Sequence, residues 1–272
     1  MPELPEVETI CLTLKPKLIG RTIISGEVLL PKMLQNIIVE EFLQQISSKK
    51  VVDLSRRGKY LKIHLSEKLI IAFHLRMTGQ LIVESAEKEA GKATYLKIRL
   101  DDGNELRFLD QRKFGRVFLF PETDYPVNLK KLGPEPLGSE FSMATFKKQI
   151  ANKKIAIKKV LLDQEIIAGI GNIYADESLF LAGIHPARLV DSLTEDELEK
   201  LYHAIRKVLN EGIQYRGTTK RDYRDGDGKA GSYQEQLRVY GRKGLQCPQC
   251  QNMIVKMNFA GRGTHFCPIC QK

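Results

Sequence analysis

The sequence has 272 residues, of which 42% are hydrophobic and 28% charged, so it is long enough for two globular domains with buried cores. It carries 43 Lys and Arg against 33 Asp and Glu, and the formal net charge of +10 favours a polyanionic partner. The excess is concentrated near the C-terminus, with 13 basic against 5 acidic residues from position 201 onward. We therefore expect the last quarter of the chain to contact phosphates.

The N-terminal segment predicts where the protein resides. MPELPEVET carries acidic residues where a secretory signal would carry basic ones, and no apolar run is long enough to cross a bilayer. We therefore expect a cytoplasmic protein without a membrane partner. In a reducing compartment, clustered thiols are more often metal ligands than disulfides, and the isolated Cys11 is interpreted as a core residue.

An amphipathic helix is predicted near the N-terminus, because apolar residues recur there at helical spacing after an acidic first turn. These apolar positions are Val7, Ile10, Leu14 and Leu18. From about residue 20 to 120 the pattern changes to short apolar segments separated by Gly, Asp and Asn, which is typical of strands. This part of the chain therefore predicts a sheet domain of the β-sandwich type.

The segment KKLGPEPLG, at residues 130–138, contains two prolines and two glycines and is predicted to link this sheet domain to a second, helical domain. Helical patterns continue from there to about residue 216. Helices and strands are segregated along the chain, so the sequence favours an α+β fold over a parallel, doubly wound sheet.

Four cysteines near the C-terminus form the pattern Cys-x2-Cys-x16-Cys-x2-Cys. They are Cys247, Cys250, Cys267 and Cys270. Each pair can present two thiolates from a tight turn, and four sulfur ligands leave no open coordination position, so one structural zinc ion is predicted. A rubredoxin-like iron site and two disulfides are the alternatives, and the missing secretory signal disfavours the disulfides. Between the pairs, Arg262 and two glycines are expected in a hairpin loop that can approach phosphate closely.

Six segments resemble the motifs of formamidopyrimidine-DNA glycosylases, in the order in which that family carries them. They are MPELPEVET, RRGKYL at 56–61, HLRMTG at 74–79, DQRKFG at 110–115, AGIGNIYADE at 168–177 and AGRGTHFCPIC at 260–270. The resemblance covers essentially the whole chain. It implies a bifunctional base-excision repair enzyme that removes oxidised purines, 8-oxoguanine and formamidopyrimidines, and then cleaves the abasic strand by β,δ-elimination.

The resemblance also implies the architecture. We expect an α+β protein with an N-terminal β-sandwich domain, a helix-two-turns-helix domain and a β-hairpin zinc finger. The corresponding boundaries are residues 1–132 for the catalytic domain, 133–136 for the linker, 137–237 for the helix-two-turns-helix domain and 238–272 for the zinc finger. The implied enzyme is a monomer with one structural zinc ion, acts on double-stranded DNA with an oxidised purine or an abasic site, and is associated with the bacterial nucleoid.

Four residues match catalytic positions of the family. The family's nucleophile is the proline exposed when the initiating methionine is removed, which corresponds to Pro2. An α-amine titrates at about pH 8, against about 10.4 for a lysine side chain, so more of it is free base at neutral pH. Glu3 corresponds to the general acid/base, and Lys59 to a proton-donating, phosphate-binding lysine. Arg262 corresponds to the zinc-finger arginine that grips the phosphates beside the lesion and assists the second elimination.

The resemblance further implies a set of DNA contacts. They are His74, Met77, Arg112, Phe114, Lys154, Lys158, Asn172 and Tyr240. Extrusion of a base leaves a hole in the duplex, which Met77 and Phe114 are expected to fill by wedging between bases. The guanidinium of Arg112 is expected to hydrogen-bond the orphaned cytosine.

The remaining contacts are expected on the DNA backbone. The segment AGIGN is predicted to form the two turns, with Ala175 to Leu181 as the second helix and Asn172 bound to the backbone at the lesion. Helical spacing in the lysine-rich run 153–159 puts at least two lysines on one face, and Lys154 and Lys158 are expected to contact phosphates. Tyr240 is expected near the same phosphates.

The sequence departs from the family pattern at a few positions. Tyr95 stands where a DNA-contacting histidine is usual, and Asp222 where a threonine is expected in the loop over the extruded base. Thr78 and Gln111 lie in variable positions. These differences bear on the order in which lesions are preferred.

Two other classes of protein share part of these features. A non-catalytic DNA-binding protein with a zinc ribbon would explain the charge and the cysteines, but it would have no use for a free N-terminal proline. A glycosylase of the endonuclease VIII kind would share Pro2 and Glu3 but would process oxidised pyrimidines better than 8-oxoguanine.

Overall fold

A computed structural model describes residues 2–151, 153–219 and 223–272 of the chain. Contacts divide the chain into two units. The first, here called the sandwich unit, runs to Lys130 and also includes Tyr215–Ser232. The second, the helical unit, comprises Lys131–Gln214 and Tyr233–Lys272. In the described part of the chain, no helix combines the length and the apolar character needed to cross a membrane.

The sandwich unit contains two antiparallel four-stranded sheets, with strand orders β1-β6-β7-β5 and β2-β3-β4-β8. The strands are β1 (Ile23–Val28), β2 (Val51–Arg57), β3 (Tyr60–Leu65), β4 (Leu69–His74), β5 (Gly79–Ser85), β6 (Thr94–Leu100), β7 (Asn104–Asp110) and β8 (Arg116–Pro121). Buried and partly exposed residues alternate along β6, as expected for a strand with one face on a core. Phe73 and Phe108, from different sheets, pack edge to face with ring centroids 5.5 Å apart. The β-sandwich prediction is confirmed.

Helix α1 (Leu4–Leu18) and helix α2 (Val39–Ile46) contribute buried residues to this core, and the short α3 (Val127–Lys130) follows β8. The four apolar residues that predicted α1 are all buried. They belong to the hydrophobic core of the sandwich unit, and α1 contacts β2, β3 and β5, so the periodic stripe is the packing face of the helix.

The segment Tyr215–Ser232 returns to the sandwich unit through contacts with α1. Its Thr218 N–H donates to Glu6 Oε1 over 2.7 Å, and the N–H of Gly226 donates to Thr13 Oγ1 over 3.0 Å. By sequence this segment falls within the predicted helix-two-turns-helix domain, residues 137–237, and those domain boundaries stay a prediction.

The helical unit is built around one buried helix. Its elements are α4 (Met143–Ile150), α5 (Ile157–Leu162), α6 (Asn172–Ala182), α7 (Glu195–Gln214) and the hairpin of β9 (Val255–Phe259) and β10 (Arg262–Phe266). Helix α6 packs against α5, α7 and β10, so it is buried nearly all round. It begins three residues before the predicted Ala175, directly after the extended Gly171, and ends at Gly183, whose φ of 73° lies in the left-handed region.

Candidate functional site

The first predicted catalytic residues lie at the start of α1. Pro2 and Glu3 are buried, and Glu3 is the residue that caps the helix. The Glu3 N–H donates to Glu6 Oε2 over 2.8 Å, while the other oxygen of Glu6 accepts from Thr218 N–H over 2.7 Å. The Glu6 carboxylate therefore fixes the backbone from which Pro2 extends. Sequence reasoning missed Glu6, although an acid three residues after the cap is a recognisable helix-start signal.

Lys59 lies in the tight turn between β2 and β3. Gly58 adopts a φ of 55°, which allows this two-residue hairpin turn. Arg56 donates from Nε to Glu8 Oε2 over 2.7 Å and from its guanidinium to the Gly58 carbonyl over 3.1 Å. One arginine thus ties the Lys59 turn to α1, which places three of the four predicted catalytic residues around the first turns of that helix.

His74 ends β4 beside the same turn, because β3 and β4 pair Tyr60 with His74. The Tyr60 and His74 rings pack edge to face, with centroids 4.6 Å apart. Burial of the ring, together with the positive charges of Arg76 and Lys59, lowers the pKa of His74 to about 3. Since Nδ1 accepts the Arg76 N–H over 3.1 Å, the proton of the neutral ring is assigned to Nε2. A neutral His74 can therefore still donate a hydrogen bond to a phosphate.

Two loops of the sandwich unit carry the residues predicted to fill the hole in the duplex. We call residues 75–78 the first wedge loop and residues 111–114 the second wedge loop. Met77 in the first and Phe114 in the second remain 41% and 45% exposed. Arg112 lies over the Phe114 ring, with the guanidinium carbon 4.9 Å from the ring centroid. Exposed apolar side chains beside a guanidinium suit insertion between bases.

Tyr95, one of the departures from the family pattern, lies beside the second wedge loop. The ammonium of Lys113 is 5.4 Å from the ring centroid of Tyr95, so the tyrosine contacts this loop within the sandwich unit. Gln111 is exposed and Thr78 is buried. Asp222 lies outside the described residues.

In the helical unit, Asn172 is the first residue of α6, at the predicted turns. Its Nδ2 donates to the Gly263 carbonyl in β10 over 2.9 Å.

The backbone around Tyr240 is held by Glu177, which sequence reasoning missed. The buried Glu177 carboxylate accepts the N–H groups of residues 238–240 over 2.8 to 2.9 Å. Burial raises the pKa of Glu177, while these three donors oppose the shift.

The two lysines predicted to contact phosphates have different environments. Lys154 is exposed and precedes α5, which begins only at Ile157, so the predicted helical spacing does not apply to it. Lys158 is fully buried, and its Nζ lies 2.5 Å from Asp176 Oδ1 and 2.7 Å from Thr264 Oγ1. The core of the helical unit thus encloses the ammonium of Lys158, and its contact with a phosphate stays a prediction.

Arg262 is exposed at the start of β10, directly after the turn of Ala260 and Gly261. Both turn residues have positive φ, 51° and 71°, as a two-residue hairpin turn requires. The strand is anchored to α6, since His265 N–H donates to Asp176 Oδ2 over 2.8 Å. Arg262 thus extends from a hairpin whose base is fixed.

The four predicted zinc ligands converge at the base of this hairpin, with their sulfur atoms all within 4.8 Å of one another. Sulfur atoms are 3.8 Å apart between Cys247 and Cys270 and 3.4 Å apart between Cys250 and Cys267. Tetrahedral zinc with Zn–S bonds of about 2.3 Å places its sulfur ligands about 3.8 Å apart. The thiolates therefore fit one zinc ion and fill its coordination shell.

Comparison with known protein families covers most of the chain. Residues 1–117 match the formamidopyrimidine-DNA glycosylase N-terminal domain, residues 132–224 match the H2TH domain of the same glycosylase, and residues 244–272 match a zinc finger found in FPG and IleRS. The chain is 49% identical to the formamidopyrimidine-DNA glycosylase of Carboxydothermus hydrogenoformans over 272 residues, covering all of both chains. The chain belongs to the formamidopyrimidine-DNA glycosylase family. It is a DNA glycosylase of base-excision repair with one structural zinc ion.

Other relatives agree with this assignment. The glycosylase of Pelotomaculum thermopropionicum is 48% identical over 274 residues, which cover all of this chain and 99% of that protein. Among solved structures, Lactococcus lactis Fpg in complex with DNA containing an abasic site superimposes with a TM-score of 0.93 at 37% identity, over 99% of each chain. The wild-type Lactococcus protein with DNA containing N7-benzyl-Fapy-dG gives a TM-score of 0.93 at 36% identity, over all of both chains.

Proposed function

We propose that this glycosylase excises oxidised purines, 8-oxoguanine and formamidopyrimidines, from duplex DNA and then cleaves the abasic strand with Pro2 as the nucleophile. The observation that carries the proposal is the arrangement at the start of α1. There Pro2 adjoins the buried Glu3, whose backbone is held by Glu6, and Arg56 ties the Lys59 turn to the same helix. The Lactococcus relatives support the choice of substrate, since their DNA contains an abasic site or Fapy-dG.

The first step is base excision. The lone pair of the Pro2 nitrogen bonds to C1′ while the glycosidic bond breaks. The base leaves with the electron pair of that bond and takes up a proton, and the Pro2 nitrogen releases its own N–H proton. The C1′–O4′ bond then opens, and the carboxyl of Glu3 supplies the proton to O4′. The product is an iminium ion between Pro2 and C1′. A secondary amine leaves no proton on this nitrogen, so the iminium keeps its positive charge.

Strand cleavage results from that charge. The iminium acidifies C2′, and loss of the C2′ proton expels the 3′ phosphate with the electron pair of its C–O bond. Loss of the C4′ proton then expels the 5′ phosphate, and water releases the sugar fragment from Pro2. We assign Lys59 to proton donation and phosphate binding, and Arg262 to neutralising the phosphates during the second elimination.

The remaining predicted residues are assigned to the DNA itself. In the sandwich unit, His74 donates from Nε2 to a phosphate, Met77 and Phe114 fill the hole left by the extruded base, and Arg112 pairs with the orphaned cytosine. In the helical unit, the contacts go to the DNA backbone and come from Lys154, Asn172 and Tyr240.

Borohydride trapping tests the mechanism. The untagged protein is mixed with a duplex that carries one 8-oxoguanine opposite cytosine, and the crosslinked peptide is located by mass spectrometry. A crosslink at Pro2 is expected, and a chain with an uncleaved N-terminal tag should bind the duplex without forming one. Tight lesion binding by the untagged protein without a crosslink would instead indicate a damage-recognition protein.

A parallel duplex with an oxidised pyrimidine tests the choice of lesion. Excision of 8-oxoguanine should be the faster reaction. A faster reaction on the oxidised pyrimidine would instead indicate the substrate preference of an endonuclease VIII-type glycosylase.

We also propose that the enzyme acts as a monomer in the cytoplasm, at the nucleoid. Sedimentation of the free protein and of its complex with a short duplex should give one chain per particle. A fluorescent fusion in a bacterial host should follow the chromosome.

A further inference from the structure

Asp110, the last residue of β7, is a fully buried carboxylate between the two wedge loops. Its Oδ1 accepts the hydroxyl of Thr78 over 2.5 Å and the N–H of Arg112 over 3.1 Å. Its Oδ2 accepts the N–H of Gly115 over 2.7 Å. Thr78 belongs to the first wedge loop, Arg112 to the second, and Gly115 directly follows the second. A single side chain therefore crosslinks both loops.

The surroundings show that these loops need such a support. Arg76 and Lys113, one in each loop, have φ angles of 57° and 59°, in the left-handed region that residues with a side chain adopt only under constraint. Gly115 also packs without room for a side chain, since a Cβ there would lie 2.5 Å from Phe108 Cζ. The close packing of Gly115 and its bond to Asp110 fix the point at which the second wedge loop ends.

We infer that Asp110 is a positioning residue that holds the two wedge loops as one unit, so that Met77, Arg112 and Phe114 enter the duplex together. The inference rests on the proposed function, in which these three side chains replace the extruded base. Loops that are already ordered lose less conformational entropy when they insert, so less of the binding energy is spent on ordering them. Asp110 itself is buried and acts through the loops.

The hydrogen bonds explain why a carboxylate is required. The two backbone N–H groups can only donate, and they approach different oxygens of Asp110. Asparagine has the same shape but a single acceptor oxygen, so in Asp110→Asn its NH₂ group would face the N–H of either Arg112 or Gly115. In one orientation the buried N–H of Gly115 loses its acceptor. In the other, the hydroxyl of Thr78 loses its acceptor, and the N–H of Arg112 keeps only its second acceptor, Thr78 Oγ1, 3.1 Å away.

The experiment compares full-length, untagged variants on two substrates. The first is a duplex with 8-oxoguanine opposite cytosine, and the second is a single-stranded oligonucleotide with a preformed abasic site, trapped with borohydride. A single strand has no opposite base and no hole to fill. Asp110→Asn should therefore slow excision from the duplex by about 10- to 100-fold, as expected for misplaced contact groups. Trapping on the single strand should stay within about twofold of the wild type.

Two variants of Thr78 provide a matched pair. Thr78→Val removes the hydroxyl at nearly constant shape and should slow excision from the duplex, whereas Thr78→Ser keeps the hydroxyl and should restore it. Asp110→Asn should also reduce the preference for cytosine over adenine opposite the lesion, because Arg112 is then less well placed to read that base. A defect confined to stability would leave this ratio unchanged.

The outcomes separate the inference from the proposed function. Excision by Asp110→Asn at the wild-type rate, or equal loss on both substrates, would overturn the positioning role. Failure of the wild type itself to excise 8-oxoguanine or to be trapped would refute the proposed function and the inference with it.

Discussion

Lys158 and Asp176 form an ion pair whose side chains are both fully buried in the helical unit. The ammonium also donates to Thr264 Oγ1, and the second oxygen of Asp176 accepts the His265 N–H. The pair thus joins α5, α6 and β10, the strand that begins with Arg262. Because buried charges depend on their partners in place of water, removing one of them has a large effect.

We predict that Lys158→Met lowers the free energy of unfolding by about 3 to 5 kcal/mol, because it leaves the Asp176 carboxylate buried without its cation. Urea denaturation of the full chain measures the change. Lys159→Met, which alters the exposed neighbouring lysine, is the control and should stay within about 0.5 kcal/mol of the wild type. The double variant Lys158→Met, Asp176→Asn should be more stable than Lys158→Met alone, since it buries no unpaired charge. Equal stability of the two single lysine variants would contradict the prediction.

Removal of zinc should unfold the hairpin that carries Arg262 and weaken duplex binding by at least about tenfold, because metal binding supplies folding energy to such small domains. Elemental analysis should find one zinc ion per chain, and chelation followed by a binding titration measures the loss. Cys11→Ala is the control and should keep its zinc. Burial raises the pKa of the Cys11 thiol to about 12, so it stays protonated in the core of the sandwich unit. Metal-free protein that binds DNA normally would rule out the structural role.

His74 should make the enzyme less stable as the pH falls from 7 to 5. Its pKa is about 3 in the folded protein and about 6.5 in the unfolded chain, so between these values the unfolded chain binds one more proton. The free energy of unfolding should therefore decrease by up to about 1.4 kcal/mol per pH unit below pH 6.5, and this contribution should be constant above it. His74→Gln should reduce the slope by this contribution, while the pKa values of His64 and His185, which burial also lowers, keep a part of it. The exposed His203→Gln is the control. An NMR titration of His74 near pH 6 would contradict the prediction.

Salt should weaken binding to DNA steeply, because several basic residues release counterions when they contact phosphates. Lys154→Ala should lower the slope of log Kd against log salt by about 0.9, the value expected for one lost phosphate contact. Lys200→Ala, an exposed lysine of α7 without an assigned DNA contact, should leave the slope unchanged. Titrations of one duplex between about 50 and 200 mM salt measure both slopes. A flat dependence for the wild type would rule out the proposed set of phosphate contacts.

Two lysines of the run 153–159 have different environments that their sequence spacing does not reveal. By sequence alone, Lys154 and Lys158 are both expected to contact phosphates, because a local pattern shows only how residues are spaced. The partners of Lys158 are 18 and 106 positions away, so only the folded chain shows that its charge is already neutralised. Asp110 was missed for a related reason. Asp110 lies within the motif DQRKFG, but its role depends on Thr78, which lies in the loop between β4 and β5.

The sequence by itself determined the features that depend on short-range pattern: the apolar stripe of α1, the alternation in the strands, the cysteine spacing of the zinc site and the six motifs that identify the family. Only the tertiary structure decided which polar groups are buried together. Glu6 holds the start of α1, Asp110 joins the wedge loops, and Glu177 holds the backbone around Tyr240. Each of these carboxylates is buried, so it must find its donors inside the protein. Some donors are neighbours in the chain, but Thr218 for Glu6, Thr78 for Asp110 and residues 238–240 for Glu177 are distant, and only the fold brings them there.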